Sequence, residues 1–351
     1  MRPVLRAIFI LVIISITACL IKPPKAAPEP WTKLEGYVNN TNIRVLHATP
    51  NELYMLSDNE FARLGLNDEF VENRSIDLPI DFTGRPGVSD HSFYQMILND
   101  SLKVEVNFHL TKNPDPVYKI KIDDYKQAGD AAFLPEGELR NTAAYNDDGT
   151  QFIIPVIQIP GSYYAFLLFD ISLNLTNTEF QEVELVARIN IADFPANSGN
   201  LNSVKYIDGF FYATSLHGAI RINPSTGTYE KILEGWMLDV FKYDNKIYAT
   251  GYGNILFVSE NNGQNFEQVD LGEAPPQIQI IAVINDEIFS RQTIGFPFNL
   301  IDGDFSTSKR IALNEDLPQD FSAYQDLTYF NGNYYLSVFK EIYFGPEVIT
   351  E

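Results

Sequence analysis

Four stretches in the C-terminal half of the chain repeat one pattern, and this repeat limits the fold more than any other feature. "VKYIDGFFYATS" (residues 204–215) is two short alternating apolar runs joined by Asp208-Gly209. "VFKYDNKIYATG" (240–251) repeats it around Asp244-Asn245, "IAVINDEIFSRQ" (281–292) around Asn285-Asp286, and "LTYFNGNYYLSV" (327–338) around Asn331-Gly332. Alternation with a period of two puts one face of each run in a core. The Asx-Gly or Asx-Asx centre supplies the positive φ that a type I′ turn needs. Each stretch is therefore a predicted β-hairpin, and the turns recur every 36 to 46 residues. Weaker copies lie upstream: "RVLHATPNELYML" turning near Asn51, "FYQMILNDSLKVEV" at Asn99-Asp100, and "AAYNDDGTQFIIPV" at Asp148-Gly149.

Every unit but the last carries a second turn signal, at Asn67-Asp68, Asp123-Asp124, residues 174–177, 224–227, 261–263, and Asp302-Gly303. Six units thus have four predicted strands. The seventh stops after its third, at "EIYFG", while "WTKLEGYV" (31–38) stands ahead of the first full unit with no partner of its own. Using that N-terminal strand to complete the last unit closes a ring and hides the edges an open array would expose. The predicted fold is an all-β propeller of seven four-stranded blades with this 3+1 closure. The alternative count is six blades, because the second and third units are least regular, and the alternative architecture is a β-sandwich. Residues 126–140, with Pro135 and Gly137 inside, read as a long loop. No helix is predicted.

The 25 Phe and 19 Tyr supply the large β-prone side chains that such a core needs. Charge is lopsided, with 46 acidic against 25 basic side chains and a formal net charge of −21. Phosphates and anionic bilayer faces reward Lys and Arg, so this balance argues against nucleic acid or an anionic membrane surface as partner.

At the N-terminus, Arg2 and Arg6 precede an apolar run over residues 7–21. That run is short for a spanning helix, which needs ~20 residues, and has the length of a signal-peptide core. It ends in Ile16-Thr17-Ala18-Cys19, which resembles the lipobox of bacterial lipoproteins. The resemblance covers the N-terminal segment alone. It implies a signal peptide over residues 1–18, cleavage before Cys19, a diacylglycerol on its thiol and acylation of the new amine. Cys19 is the chain's one cysteine, so no disulfide framework is available. Two or three acyl chains make a stable anchor. Leu20 stands where the family's inner-membrane retention signal has Asp, which favours an outer membrane. Residues 19–30 are Pro-rich and read as an extended tether, leaving 31–351 as a single propeller domain.

Between the third and fourth predicted strands of one unit lies "SENNGQNF" (259–266). It resembles the Asp-box, Ser-x-Asp-x-Gly-x-(Thr or Ser)-(Trp or Phe), of sialidase-like and BNR-repeat propellers. Ser259, Asn261, Gly263 and Phe266 fall on its named positions, with Asn261 in place of the Asp. The resemblance implies a structural turn: Asn261 bonds its own backbone, Gly263 takes positive φ, and Phe266 packs inward. It also implies that any ligand sits on the opposite face, where second-to-third and fourth-to-first connections ring the channel. The Arg-Ile-Pro signature of the sialidase-like enzymes is absent; "IRVLH" (43–47) is the nearest run.

On that opposite face the ligand-contact candidates are Arg85, Arg140, Tyr164, His217, Tyr252 and Arg291. Asp239 and Asp326 occupy one repeat position, five residues before their turns. They are predicted to bring two carboxylates near the channel mouth. A glycosidase needs two carboxyl groups within about 5 to 9.5 Å, so this is the pair to test for catalysis. The competing reading of each is a structural Asp bonding a neighbouring backbone. The histidines at 47, 91, 109 and 217 show no metal-ligand spacing. "NDDGT" and "IDGDF" coincide with turns that want Asp and Gly. No metal and no cofactor is expected. The sequence thus predicts a monomeric, lipid-anchored propeller of the bacterial cell envelope that acts as a binding or scaffold module for an envelope protein or glycan. The alternative is a glycoside hydrolase or lyase of sialidase-like fold.

Overall fold

The computed structural model describes residues 31–37, 42–57, 60–75, 85–98, 103–115, 117–128, 130–132, 142–158, 163–174, 176, 178–195, 201–272, 276, 278–291, 298–312, 317, 323–348 and 350. The signal segment, Cys19, the tether and Arg140 lie outside the described residues. The chain forms seven antiparallel sheets, each a separate blade. In chain order the first blade is Ile43–Ala48, Glu52–Ser57, Glu60–Gly65 and Phe70–Ser75. The fourth is Leu201–Ile207, Phe210–Ser215, Gly218–Asn223 and Thr228–Leu233, and the fifth and sixth repeat that order from Met237 and Ile280. The seventh is Tyr324–Phe330, Asn333–Val338 and Glu341–Gly345, completed by Thr32–Lys33, which pairs Thr32 with Phe344 and Lys33 with Tyr343. Seven blades and the 3+1 closure are therefore the architecture, and the six-blade count does not hold.

The turn chemistry explains why the regular blades form where they do. Asp244 and Asn245, Asn285 and Asp286, and Asn331 and Gly332 all have positive φ, as do Asp208 and Gly209. This is the backbone twist that matches a type I′ turn to its flanking strands. The second strands lie mid-blade, covered on both faces by neighbouring blades. Accordingly "ELYMLS", "FFYATS", "KIYATG" and "NYYLSV" are each buried at every position after the first. Seven apolar clusters fill the seven interfaces between adjacent blades. The largest joins the second and third blades through Tyr94, Phe108, Phe152 and Phe169. The first-to-second interface carries polar side chains as well, with Gln95, Asn107 and His109 buried on it.

Two upstream readings are corrected. "FYQMILNDSLKVEV" is not the first hairpin of the second blade. Ser92–Leu98 and Val104–Leu110 are its second and third strands, because the innermost strand is Gly87–Val88, only two residues long. A β-carbon at Gly87 would overlap the Tyr94 ring, so the strand needs glycine where alternation would look for an apolar side chain. Asp123 and Asp124 are consequently not a hairpin turn; they sit in a 3-10 turn, Ile122–Tyr125, after the fourth strand Val117–Lys121. In the third blade the inner edge comes in two pieces, Ala131–Ala132 and Ala144–Tyr145, both paired with Gln151–Gln158. The first of these pieces falls inside the stretch expected to be a loop.

Candidate functional site: the central channel and its mouth

The innermost strands surround a channel of about 610 Å³ that is lined from all seven blades. One end carries the first-to-second turns. The other end, the mouth, carries the second-to-third and fourth-to-first connections. Toward the turn end stand Asp147 and Lys242, and Lys242 Nζ donates to Asp208 (2.7 Å). Burial, then the charges of Asp208 and Asp148, raise the Asp147 carboxyl above its usual range. His47 approaches Asp90 (3.4 Å), and burial lowers its imidazole below the ordinary value.

Near the mouth, Asp239 and Asp326 each reach from an innermost strand to the next blade. Asp239 is 1 % exposed and accepts from Ser203 Oγ (2.9 Å), Lys205 Nζ (2.7 Å), its neighbour Val240 N (2.9 Å) and Ile281 N of the following blade (3.1 Å). Asp326 accepts from Leu46 N of the first blade (2.9 Å) and pairs with Arg85 (2.6 Å). Both carboxylates thus cross a blade boundary to a backbone N–H that the strand ladder leaves open. The contacts are those of the structural alternative.

Arg85 and Arg291 converge at this level. Arg291 ends the second strand of the sixth blade, is 4 % exposed, donates from Nη1 to the Gln325 carbonyl (2.8 Å) and lies over the Phe298 ring (4.7 Å). Burial and the Arg85 charge pull its guanidinium down to about 9, against the opposing pull of Asp326 and Asp239. It remains protonated at neutral pH.

The other sequence candidates scatter. Tyr164 is 1 % exposed and packs between the third and fourth blades, so it presents nothing to the mouth. Its neighbour Tyr163 is the exposed one. His217 is half-buried in a second-to-third turn, its amide donating to Ser215 Oγ (3.0 Å), and is not a channel residue. Tyr252 is 59 % exposed and stacks on Trp236, itself 42 % exposed, with ring centroids 4.2 Å apart and planes 5° apart. Tyr252 N also donates to the Trp236 carbonyl (2.9 Å), which ties the two mouth connections of the fifth blade together. Trp236 and Lys205 were not among the sequence candidates. The signal for Trp236 was present in "EGWM": a large aromatic after a turn glycine, just before an innermost strand, where no core position calls for it.

On the far face, the turn at 259–266 is built as a self-bonded loop. Ser259 Oγ donates to Asn261 Oδ1 (2.9 Å) and accepts from Gly263 N (2.9 Å), while Asn261 Oδ1 accepts from Asn265 N (3.0 Å). Gly263 has φ +75° and Phe266 packs against the fourth-to-fifth interface. Among the described residues no cluster of three or more His, Cys, Asp or Glu stands ready to hold a metal.

Ring, channel and closure define a seven-bladed β-propeller. No protein-family model matches the chain, and no curated protein matches it. Among solved structures it is similar to the WD40 domain of Pan2 from Neurospora crassa, with TM-score 0.52 and 11 % identity over 93 % of this chain and 99 % of that one. It is also similar to PorZ, an essential bacterial surface component of the type-IX secretion system of Porphyromonas gingivalis (TM-score 0.49, 9 % identity, 92 % of this chain). This chain spans only 39 % of PorZ. A third similar structure is BamB from Moraxella catarrhalis (TM-score 0.42, 8 % identity, 88 % of this chain and 99 % of that one). At such identities the likeness is one of fold.

Proposed function

We propose that the chain is a lipid-anchored binding module of the bacterial cell envelope, which receives an envelope protein or glycan on the channel-mouth face. The observation that carries this reading is the Trp236–Tyr252 stack. Two large aromatic rings held parallel at this exposure forgo burial that a propeller has ample core to provide. Aromatic side chains of this kind anchor interfaces and stack on sugar faces with little ordering cost. The basic n-region, apolar run and Ile16-Thr17-Ala18-Cys19 support the anchor, and the Pro-rich residues that follow support a tether. The hydrolase alternative loses ground because both candidate carboxylates are engaged with backbone N–H groups and cations.

The test is site-specific photo-crosslinking in the native bacterium. A photoreactive residue at Tyr252 is expected to give discrete adducts that disappear in Trp236→Ala, while one at Glu182, on the outer edge of the third blade, gives none. Equal adduct patterns from both positions, or no adduct from Tyr252, refute the reading. Cys19→Ser is expected to release the chain from the membrane fraction.

A further inference from the structure

Among the described residues, four Lys and Arg side chains line the channel: Arg85, Lys205, Lys242 and Arg291. Three of them have a carboxylate, since Arg85 pairs with Asp326, Lys205 with Asp239 and Lys242 with Asp208. Arg291 has none among the described residues, although it is the most deeply buried of the four. Its Nη1 is spent on the Gln325 carbonyl, and its Nε, fully buried, has no hydrogen-bond partner. A buried guanidinium with no carboxylate in ion-pair contact is costly, even with Asp326 and Asp239 acting on it from farther off. Nε is sealed from the channel, so the donors left to a ligand are the N–H groups of Nη2, and a carboxylate both accepts from them and supplies an ion-pair partner.

The rest of the channel sets the ligand's body. Phe298 lies beneath the guanidinium, and Val45, Val88, Tyr206, Ile281 and Val283 contribute apolar wall. A volume of about 610 Å³ is that of a small-molecule site. Neighbouring Asp326 is already held by Arg85 and Leu46 N, so it is not free to turn and neutralise Arg291.

We infer that the channel binds a small organic carboxylate with an apolar body, its carboxylate paired with Nη2 of Arg291. The chain's overall negative charge works against anion capture at long range, so the affinity is local to this guanidinium. The inference does not rest on the envelope-partner reading, which uses Trp236 and Tyr252.

Calorimetric titration of the purified full chain with benzoate, butyrate and succinate tests it, with benzamide as the uncharged control. Saturable binding of benzoate or butyrate is expected, with none for benzamide and weaker binding of succinate, whose second carboxylate would enter an apolar wall. Arg291→Lys keeps a charge but withdraws the planar guanidinium and its Nη2 donors, and is expected to weaken binding by about tenfold or more. Arg291→Met is expected to abolish it. Circular dichroism confirms that each variant is folded, and should Arg291→Met not fold, Arg291→Lys decides. Absence of saturable binding for all three carboxylates, equal binding of benzamide, or unchanged binding in a folded Arg291 variant overturns the inference.

Discussion

Replacing Asp239 by alanine tests whether the buried carboxylate holds the ring together. The substitution removes the acceptor of four hydrogen bonds at a position 1 % exposed. Ser203 Oγ can turn to another acceptor or to water in the channel, so its loss is small. Lys205 keeps a second contact, to the Ile281 carbonyl (3.3 Å), and its side chain is partly exposed, which softens the loss of its counter-ion. The Ile281 N–H is fixed at the inner edge of the next blade and cannot turn away. Leaving it unsatisfied costs about 1–3 kcal/mol. Breaking a buried ion pair from one side costs about 3–5 kcal/mol when the partner cannot escape. Because Lys205 can escape, the two effects together amount to about 3 kcal/mol.

Urea unfolding at pH 7, followed in parallel by Trp fluorescence and far-UV circular dichroism, reads this as a lower midpoint at unchanged slope. Asp239→Asn is expected to fall between wild type and Asp239→Ala, because it keeps the acceptor for Val240 N and Ser203 but points an amide at Lys205 and Ile281 N. Lys205→Met should remove part of the Asp239→Asn penalty, giving a coupling of about 1 kcal/mol in a double-mutant cycle. Asp170→Asn, an exposed change on the third blade, serves as control. An Asp239→Ala chain within about 0.5 kcal/mol of wild type, the range of ordinary surface changes, would refute the bridging role and return Asp239 to the catalytic candidates.

Two further predictions concern stability. His109 is 0 % exposed, its Nδ1 donates to the Pro114 carbonyl (2.9 Å), and burial lowers its imidazole to about 4. The fold therefore holds it neutral while the unfolded chain protonates near 6.5, so its contribution is present above pH 6.5 and is lost as pH falls toward 4, by about 3 kcal/mol. His109→Phe, which can keep the stack on Phe93, should show a flatter urea-midpoint profile over this range; a midpoint difference from wild type that does not change with pH would count against the assignment. At Gly263, with φ +75°, a β-carbon would overlap the Tyr212 hydroxyl. Gly263→Ala should cost about 1–3 kcal/mol, and Tyr212→Phe should recover part of it in thermal melts; no recovery would place the cost in the backbone alone.

How far the sequence could be read follows from which features are local. A type I′ turn is specified by two adjacent residues, so Asp208-Gly209 and its repeats located their hairpins, and the repeat then exposed the missing fourth strand of the seventh blade and its N-terminal donor. Gly87–Val88 escaped because two residues cannot show alternation. Tyr164 was misplaced by a single position: successive side chains on a strand point to opposite faces, so a one-residue error exchanges an exposed Tyr163 for a buried Tyr164. The repeat also marked Asp239 and Asp326 as equivalent, but not which backbone they would meet, because that backbone belongs to the next blade. Convergence was the least legible property. Arg85 and Arg291 lie in the second and sixth blades, far apart in sequence, and only ring closure brings them to the adjacent residues Asp326 and Gln325. The same closure leaves Arg291 as the one channel cation, among the described residues, without an acid. That imbalance arises from five blades meeting around one axis, and no window along the chain contains it.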